Sequence, residues 1–551
     1  MKKIMKNAFV MIAVAAMVFA FVSCGGSKSS SAGSSAPASA PVKPAESIAN
    51  TAVSTESVAA TSELTDQTIN IGYGTAIDSL TPFRSNTARN APYMVNLYET
   101  LGVMTEDIEV IPYAAKGWKT EDNGKSYEIE IYDNITDSAG NKITAKDIVW
   151  FISESKARAL KPIFARVVSV EATGEYTLKV EFKSNVYGSF QTLMVDTFVV
   201  SEKAFKESAD EFGTMAVTTS PYKVTGFVPS ASLNFERRAD YWQKIEDMPE
   251  CVRPIQKNVN YKIIKEASQL GIALETGDVD AAVDIASSTG TQFVGKDGYT
   301  IDLSDGPQGW QVFFSGGENR IIANNLALRQ AICYAINEAG MVQAIAGGYG
   351  TQMWDTSSPR LLGFNPDWRK EPYYQFDLEK AKQLVKESGY NGEELVLLST
   401  SSATASRLGQ MIQNFCQAAG IKVKINAVDM ALFSATRLDG TQYDMVIVTV
   451  GGMSLPDFWS IRFDPAAYKN GDATSRKDMK LAELLYKTWT TDGFTKENIN
   501  EVHNYIKDNA IAYGIVNPSV FTIWSNKLNM TKVVKGGLSG YVMFGSCQIK
   551  K

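Results

Sequence analysis

Between residues 394 and 450 the hydrophobic period of the chain switches repeatedly. Leu395 to Leu398 is a short apolar run, 404–419 has helical spacing, and Ile421, Val423 and Ile425 alternate. Helical spacing then returns over 430–438, and 444–450 is again strand-like. Strands alternating with helices define βαβ units, and successive units define a largely parallel sheet covered by helices. This stretch therefore commits part of the chain to an α/β lobe. The whole chain has 551 residues, too many for one hydrophobic core, so further domains are required.

The beginning of the sequence differs from everything after it. Lys2, Lys3 and Lys6 precede an uncharged apolar run over 8–22, the length of a secretion signal and short for a membrane span. The run ends in Phe21-Val22-Ser23-Cys24-Gly25, which resembles a bacterial lipobox, with Phe21 where Leu is usual. On that reading 1–23 is a signal peptide and Cys24 becomes the lipidated N-terminus. Residues 24–65 are rich in Ser, Ala, Gly, Pro and Thr; they bury too little apolar surface to order themselves and read as a flexible tether. Such an anchor places the body at a bacterial membrane, periplasmic or at the cell surface.

Charge and residue usage exclude several roles. Net charge is −6, and loss of the leader with its three lysines takes it to −9, so no nucleic-acid footprint is expected. His503 is the one histidine, which argues against imidazole metal sites and His-dependent catalysis. No GxSxG or HExxH motif is present, although spacing alone leaves paired carboxylates open. No cofactor and no enzymatic activity are expected. Beyond Cys24, the four cysteines match no CxxC pattern. Cys333 and Cys416 fall on apolar helix faces, whereas Cys251 and Cys547 are left free to pair or not in an oxidising compartment.

In chain order, 68–73 alternates as a strand, 90–101 has helical spacing through Val95, Leu97 and Tyr98, and Asn123-Gly124 is a turn before a strand at 127–131. Thr144 with Asp147 forms a helix N-cap of capping-box type, and Leu178, Val180 and Phe182 alternate. Residues 220–242 read as a hairpin turning at Pro229-Ser230, and Gly277 is placed to end a helix. A strand follows at 310–314, then one long amphipathic helix over 325–345, then a helix capped by Asp377 and ended by Gly389.

Several of these stretches carry a resemblance. Asn96-Leu-Tyr-Glu-Thr-Leu101, Pro112-Tyr-Ala-Ala-Lys-Gly-Trp118, Asp122-Asn-Gly-Lys-Ser-Tyr127 and Thr144-Ala-Lys-Asp-Ile-Val149 are followed by Ser220-Pro-Tyr222 with Tyr241-Trp242. Gly277-Asp-Val-Asp-Ala281 and Leu328-Arg-Gln-Ala-Ile-Cys-Tyr-Ala-Ile336 complete the series. This ordered set resembles family 5 extracytoplasmic solute-binding proteins, the oligopeptide- and dipeptide-binding proteins of ABC importers, over residues 68–550. The resemblance implies an α/β, two-lobed periplasmic-binding-protein-like fold of type II, with an extra domain and a hinge. Residues 66–100, 206–309 and 515–551 would form the first lobe, 101–205 its extra domain, and 310–514 the second lobe. Crossover strands near Trp310 and near 513–516 would join the lobes. It further implies a monomer that captures a solute between its lobes and delivers it to the permease and ATPase subunits of an ABC importer.

Ligands of open α/β sheets bind beyond the carboxyl ends of the strands, which selects 74–90, 399–407 and 451–459. Arg407 lies near a predicted helix start, where a carboxylate is favoured and where the family's carboxylate-anchoring Arg falls. Asn90 falls where oligopeptide binders of the family present an acidic group. Peptide binders also carry a W-x-x-D-Y-x-D-P-like segment whose Asp pairs with the peptide ammonium. Here Gly452, Met453 or Ser454 stands near that position, and Asp457 is a displaced acid. Trp310, Trp459 and Trp354 offer ring faces. The leading ligand is an oligopeptide and the alternative an oligosaccharide; an exported hydrolase and a purely structural surface lipoprotein are the readings of a different class.

Overall fold

The computed structural model describes residues 64–83, 93–105, 109–285, 287–306, 309–370, 373–449, 454–466, 475–528, 530–536 and 541–549. Its architecture turns on one 14-residue strand, Ala512–Ser525. The first half of this strand pairs antiparallel with Trp310–Phe314 and with Gly350–Trp354. Its second half pairs with Ala281–Ile285 and with Tyr299–Asp305. A single 12-stranded ladder results. From the long strand, one arm runs through Trp310–Phe314, Met445–Thr449 and Leu395–Thr400 to Val423–Val428. The other arm runs through Ala281–Ile285, Thr68–Tyr73, Asn258–Ile263 and Ser232–Arg237 to Tyr222–Val228. Each arm is the sheet of one lobe, and each contains parallel pairs. A lobe boundary between 514 and 515 would cut a continuous strand, so the long strand belongs to both lobes.

Side chains alternate across a strand, so each sheet supports packing on two faces. In the second lobe Val312, Leu397 and Ile447 pack with Leu328, Ile332, Leu408 and Ile412. Their neighbours Phe313, Leu398 and Val446 pack with Phe458, Trp459, Leu485 and Ile506 on the opposite face. The alternating pattern at 394–450 becomes strands Leu395–Thr400, Val423–Val428 and Met445–Thr449 with helices Ala403–Ala418 and Met430–Thr436. The first-lobe core continues without a break into a four-stranded antiparallel sheet over 115–182 and its helix Ala145–Ala157.

Local signals gave local structure. Asp147 accepts from the Thr144 backbone N–H at 2.8 Å, closing the capping box. The hairpin turns at Ser230, whose φ is +58°, and Gly277 ends its helix at φ +79°. Two expectations are corrected. At 90–101 the described part holds only the 3-10 turn Met94–Asn96, because tertiary partners take the backbone groups a helix would use. Ser220 Oγ donates to the Asn96 carbonyl at 2.6 Å, Thr219 N–H to the Leu97 carbonyl at 3.1 Å, and Glu99 N–H donates to Thr219 Oγ1 at 3.1 Å. The long helix at 325–345 is two helices, Leu326–Ala335 and Glu338–Ala346. Ile336 is extended, and Asn337 caps the second helix by accepting from Gly340 N–H at 2.9 Å.

Further contacts bind the 96–101 and 220–242 stretches to each other. Glu99 is buried and accepts from the Tyr241 hydroxyl and from Trp242 Nε1, the latter at 2.9 Å. Burial pushes its carboxyl up to about 8, against the lowering effect of those hydrogen bonds. Cys251, Cys333 and Cys416 are buried free thiols. His503 stacks on Trp368 at 4.0 Å, and burial pushes its pKa down to about 3. Among the described residues, no helix is long and apolar enough to cross a membrane, and no cluster of three or more His, Cys, Asp or Glu forms a metal site.

Candidate functional site

The parallel strands Leu395–Thr400 and Met445–Thr449 end at one edge of the second-lobe sheet. A cavity of about 600 Å³ opens there. Thr400, Ser401 and Ser402 line it from one strand end, Ile447 to Thr449 from the other, and Trp310 from the adjacent crossover strand. Met430, Phe433, Arg437 and Arg462 complete the wall. Two guanidinium groups are present and no carboxylate is among these lining residues. Ser402 caps the following helix, its Oγ accepting from Ala405 N–H at 3.4 Å. Such a cavity offers a ring face, hydroxyl groups and positive charge to a polar solute that carries an anion.

A second group of contacts joins the small domain to the second lobe. Arg166 Nη1 donates to Asp457 Oδ1 at 2.6 Å and to Ser189 Oγ at 2.8 Å, and Nη2 donates to Ser460 Oγ at 3.2 Å. The Tyr187 N–H donates to the Trp489 carbonyl at 2.6 Å, and the Tyr187 carbonyl accepts from Ser454 Oγ at 2.6 Å. The Tyr187 and Phe494 rings stack with centroids 3.9 Å apart. Gly188 has φ +91°, and a Cβ there would sit 2.4 Å from Ser454 Oγ, so glycine permits this close approach. A smaller cavity of about 370 Å³ lies beside these contacts, between Arg166 and Lys183 on one side and Asp464 and Trp489 on the other.

Of the sequence-selected residues, Trp310 lies half-buried in the wall of the larger cavity. Arg407 is exposed, one turn into helix Ala403–Ala418 rather than at its start, and is not among the lining residues. Ser454 is buried as the N-cap of helix Leu455–Phe463, where its Oγ accepts from Asp457 N–H at 3.2 Å. Asp457 points to Arg166, so a guanidinium of the same chain occupies the place considered for a ligand ammonium. Trp459 has no exposed surface; it packs in the core with Leu455 and Phe458, and its Nε1 donates to the Thr356 carbonyl at 3.3 Å. That placement removes it as a stacking platform. Trp354 is half-buried in a strand paired with the long strand. Asn90, Gly452, Met453 and Cys24 lie outside the described residues.

The sequence reading missed Phe433, Arg437 and Arg462 in the cavity, and Arg166, Tyr187 and Gly188 in the interlobe contact. Phe433 and Arg437 lie on helix Met430–Thr436 and at its C-cap, after strand Val423–Val428, whose end the sequence reading did not select. Arg166 was out of reach, because 291 residues separate it from Asp457.

Two lobes sharing crossover strands, with a solute-sized cavity at the strand ends, have the fold of the two-lobed periplasmic binding proteins. The family model described as bacterial extracellular solute-binding proteins, family 5 Middle, matches residues 109–470, and the chain belongs to that family. The glutathione-binding protein GsiB of Shigella flexneri serotype 5b is 23% identical over 368 residues, covering 65% of this chain and 69% of GsiB. The fold is similar to that of DppA from Helicobacter pylori, an ABC transporter-associated periplasmic binding protein solved in complex with the peptide STSA. That match has TM-score 0.70 and 19% identity, covering 88% of this chain and 98% of DppA. It is also similar to NikA from Brucella suis in complex with Fe(III)-EDTA, with TM-score 0.71 and 18% identity, covering 88% of this chain and all (100%) of NikA.

Proposed function

We propose that this solute-binding protein captures short peptides in the cavity lined by Trp310, Arg437 and Arg462 and delivers them to an ABC importer. The observation that carries the reading is the charge of that cavity. Two guanidinium groups and no acidic lining residue suit the terminal carboxylate of a peptide. Relatives point the same way: GsiB is named for glutathione, and the H. pylori protein holds a tetrapeptide. Lipidation at Cys24, with 24–65 as a tether, would keep the protein beside its permease and ATPase partners.

Calorimetry with the tetrapeptide Ser-Thr-Ser-Ala, glutathione and their C-terminally amidated forms tests this. A charge-assisted hydrogen bond contributes about 1.5–3 kcal/mol. Amidation should therefore weaken binding by about 10- to 100-fold, and Arg437→Gln or Arg462→Gln should remove the difference. A second reading, a neutral oligosaccharide, is favoured by the engagement of Asp457 with Arg166, which leaves that acid committed within the protein. Tight binding of such a sugar, with no response to either peptide, would replace the peptide reading.

A further inference from the structure

The two strands that carry the chain between the lobes each bury a side-chain amide that no described residue bonds. Gln311 lies in Trp310–Phe314 and Asn517 in Ala512–Ser525, and both have 0% exposure. Among the described residues, neither Nε2 nor Oε1 of Gln311, and neither Nδ2 nor Oδ1 of Asn517, has a hydrogen-bond partner. Folded proteins pair nearly all such atoms, so four unpaired ones at a hinge call for a partner that the described residues do not supply.

The placement of the two amides says where that partner comes from. Gln311 is opposite Val448, a residue of the cavity wall, and follows Trp310, which also lines the cavity. Asn517 lies against the segment leading from the first lobe into the second: a Cβ on Gly306 would be 3.1 Å from its Oδ1, and one on Gly309 would be 3.7 Å from its Cβ. Glycine at both positions lets this segment pack closely beside Asn517, since a Cβ on Gly306 would run into the Pro518 carbonyl and one on Gly309 into the Met353 side chain. Gln311 therefore adjoins the cavity wall, and Asn517 follows Val516, the strand partner of the wall residue Trp310. Each carboxamide offers donors and an acceptor without charge, the complement of another amide.

We propose that Gln311 and Asn517 form a neutral subsite at the hinge, completed by an uncharged amide group of the bound solute. This rests on the peptide reading and deepens it: the arginine-lined cavity takes the carboxylate, and the hinge amides take a backbone amide. The competing account is that buried water completes them in the free protein. The two differ in what an apolar isostere does. If nothing bonds the amides before the solute arrives, removing them costs the free protein no hydrogen bond.

The experiment uses the full chain with Gln311→Met and Asn517→Leu as separate variants. Ligand-free melting temperatures are measured first, then affinities for Ser-Thr-Ser-Ala and glutathione by calorimetry. The expected result is a melting temperature equal to or above that of the natural sequence in each variant, with peptide affinity lowered about tenfold or more. A melting temperature lowered in both variants overturns the proposal, because the amides then serve the fold. So does peptide affinity that survives both substitutions. If the natural sequence binds neither peptide, the peptide reading falls separately, and the ligand-free melting still decides whether the amides are unpaired. Loss of affinity for a neutral oligosaccharide instead would overturn the assigned amide ligand.

Discussion

The two regions that join the lobes are built from different materials. At the crossovers the link is backbone: the long strand pairs with Trp310–Phe314 through one half and with Tyr299–Asp305 through the other, and Phe313 is fully buried beside it. At the small domain the link is mostly side chain: one arginine fork, one serine hydroxyl and one ring stack, with the Arg166 side chain 18% exposed. A buried strand ladder bends but does not part without unfolding. A partly hydrated ion pair and a stacked ring can break and re-form as the lobes move. If the lobes close on a solute as proposed, the first link would serve as the hinge and the second as the contact that closing makes.

The largest effect should come from breaking the hinge side. Phe313→Ala should cost about 3–5 kcal/mol of stability by equilibrium denaturation; a loss below about 1 kcal/mol would mean the crossover is not packed as core. Next comes the acid that leans on the long strand. Glu338 accepts from the Tyr513 hydroxyl, and burial pushes its carboxyl up from 4.5 to about 7. A raised folded-state value stabilises fully below about 4.5, and this contribution is lost as pH rises towards 7. Glu338→Gln keeps the acceptor and removes the titration. Its stability relative to the natural sequence should therefore climb between pH 4.5 and 7, by on the order of 2–3 kcal/mol, in denaturation at several pH values. A flat difference would place Glu338 in water. The smallest effect concerns the other link. Arg166→Ala should disfavour the closed arrangement by about 1 kcal/mol, between the values of exposed and buried pairs, and should raise the radius of gyration in X-ray scattering. Gly188→Val, whose Cβ would meet Ser454, should do the same. If both variants left scattering unchanged while lowering stability as Phe313→Ala does, the contrast between the links would fail.

The legible parts of the fold share a property: their signals span a few residues. Alternation at 394–450, the Thr144–Asp147 cap and the Ser230 turn are each set by neighbours along the chain. The candidate site was legible only where it inherits that property, as at Trp310 and the strand end Thr400 to Ser402. Asp457 shows the limit. As a residue type and position it suited a ligand ammonium, but the fold brings Arg166 to it from another domain. Trp459 shows the same limit from inside a helix, where the face it presents to the core removes it from solvent.

By itself the sequence determined the α/β class, the order of most strands and helices, and the family to which the chain belongs, because hydrophobic period and capping chemistry act locally and survive any path of the chain. Only the tertiary structure decided that residues 90–101 keep no more than a short turn in their described part and that the helix at 325–345 breaks at Asn337. It alone also brought Arg166 to Asp457 and set Gln311 and Asn517 on the crossover strands without hydrogen-bond partners among the described residues. Those outcomes depend on groups brought together across up to 291 residues, as in the Arg166–Asp457 pair. A hydrogen bond or an ion pair at that separation leaves no period in the sequence, since only the folded path makes the two ends neighbours.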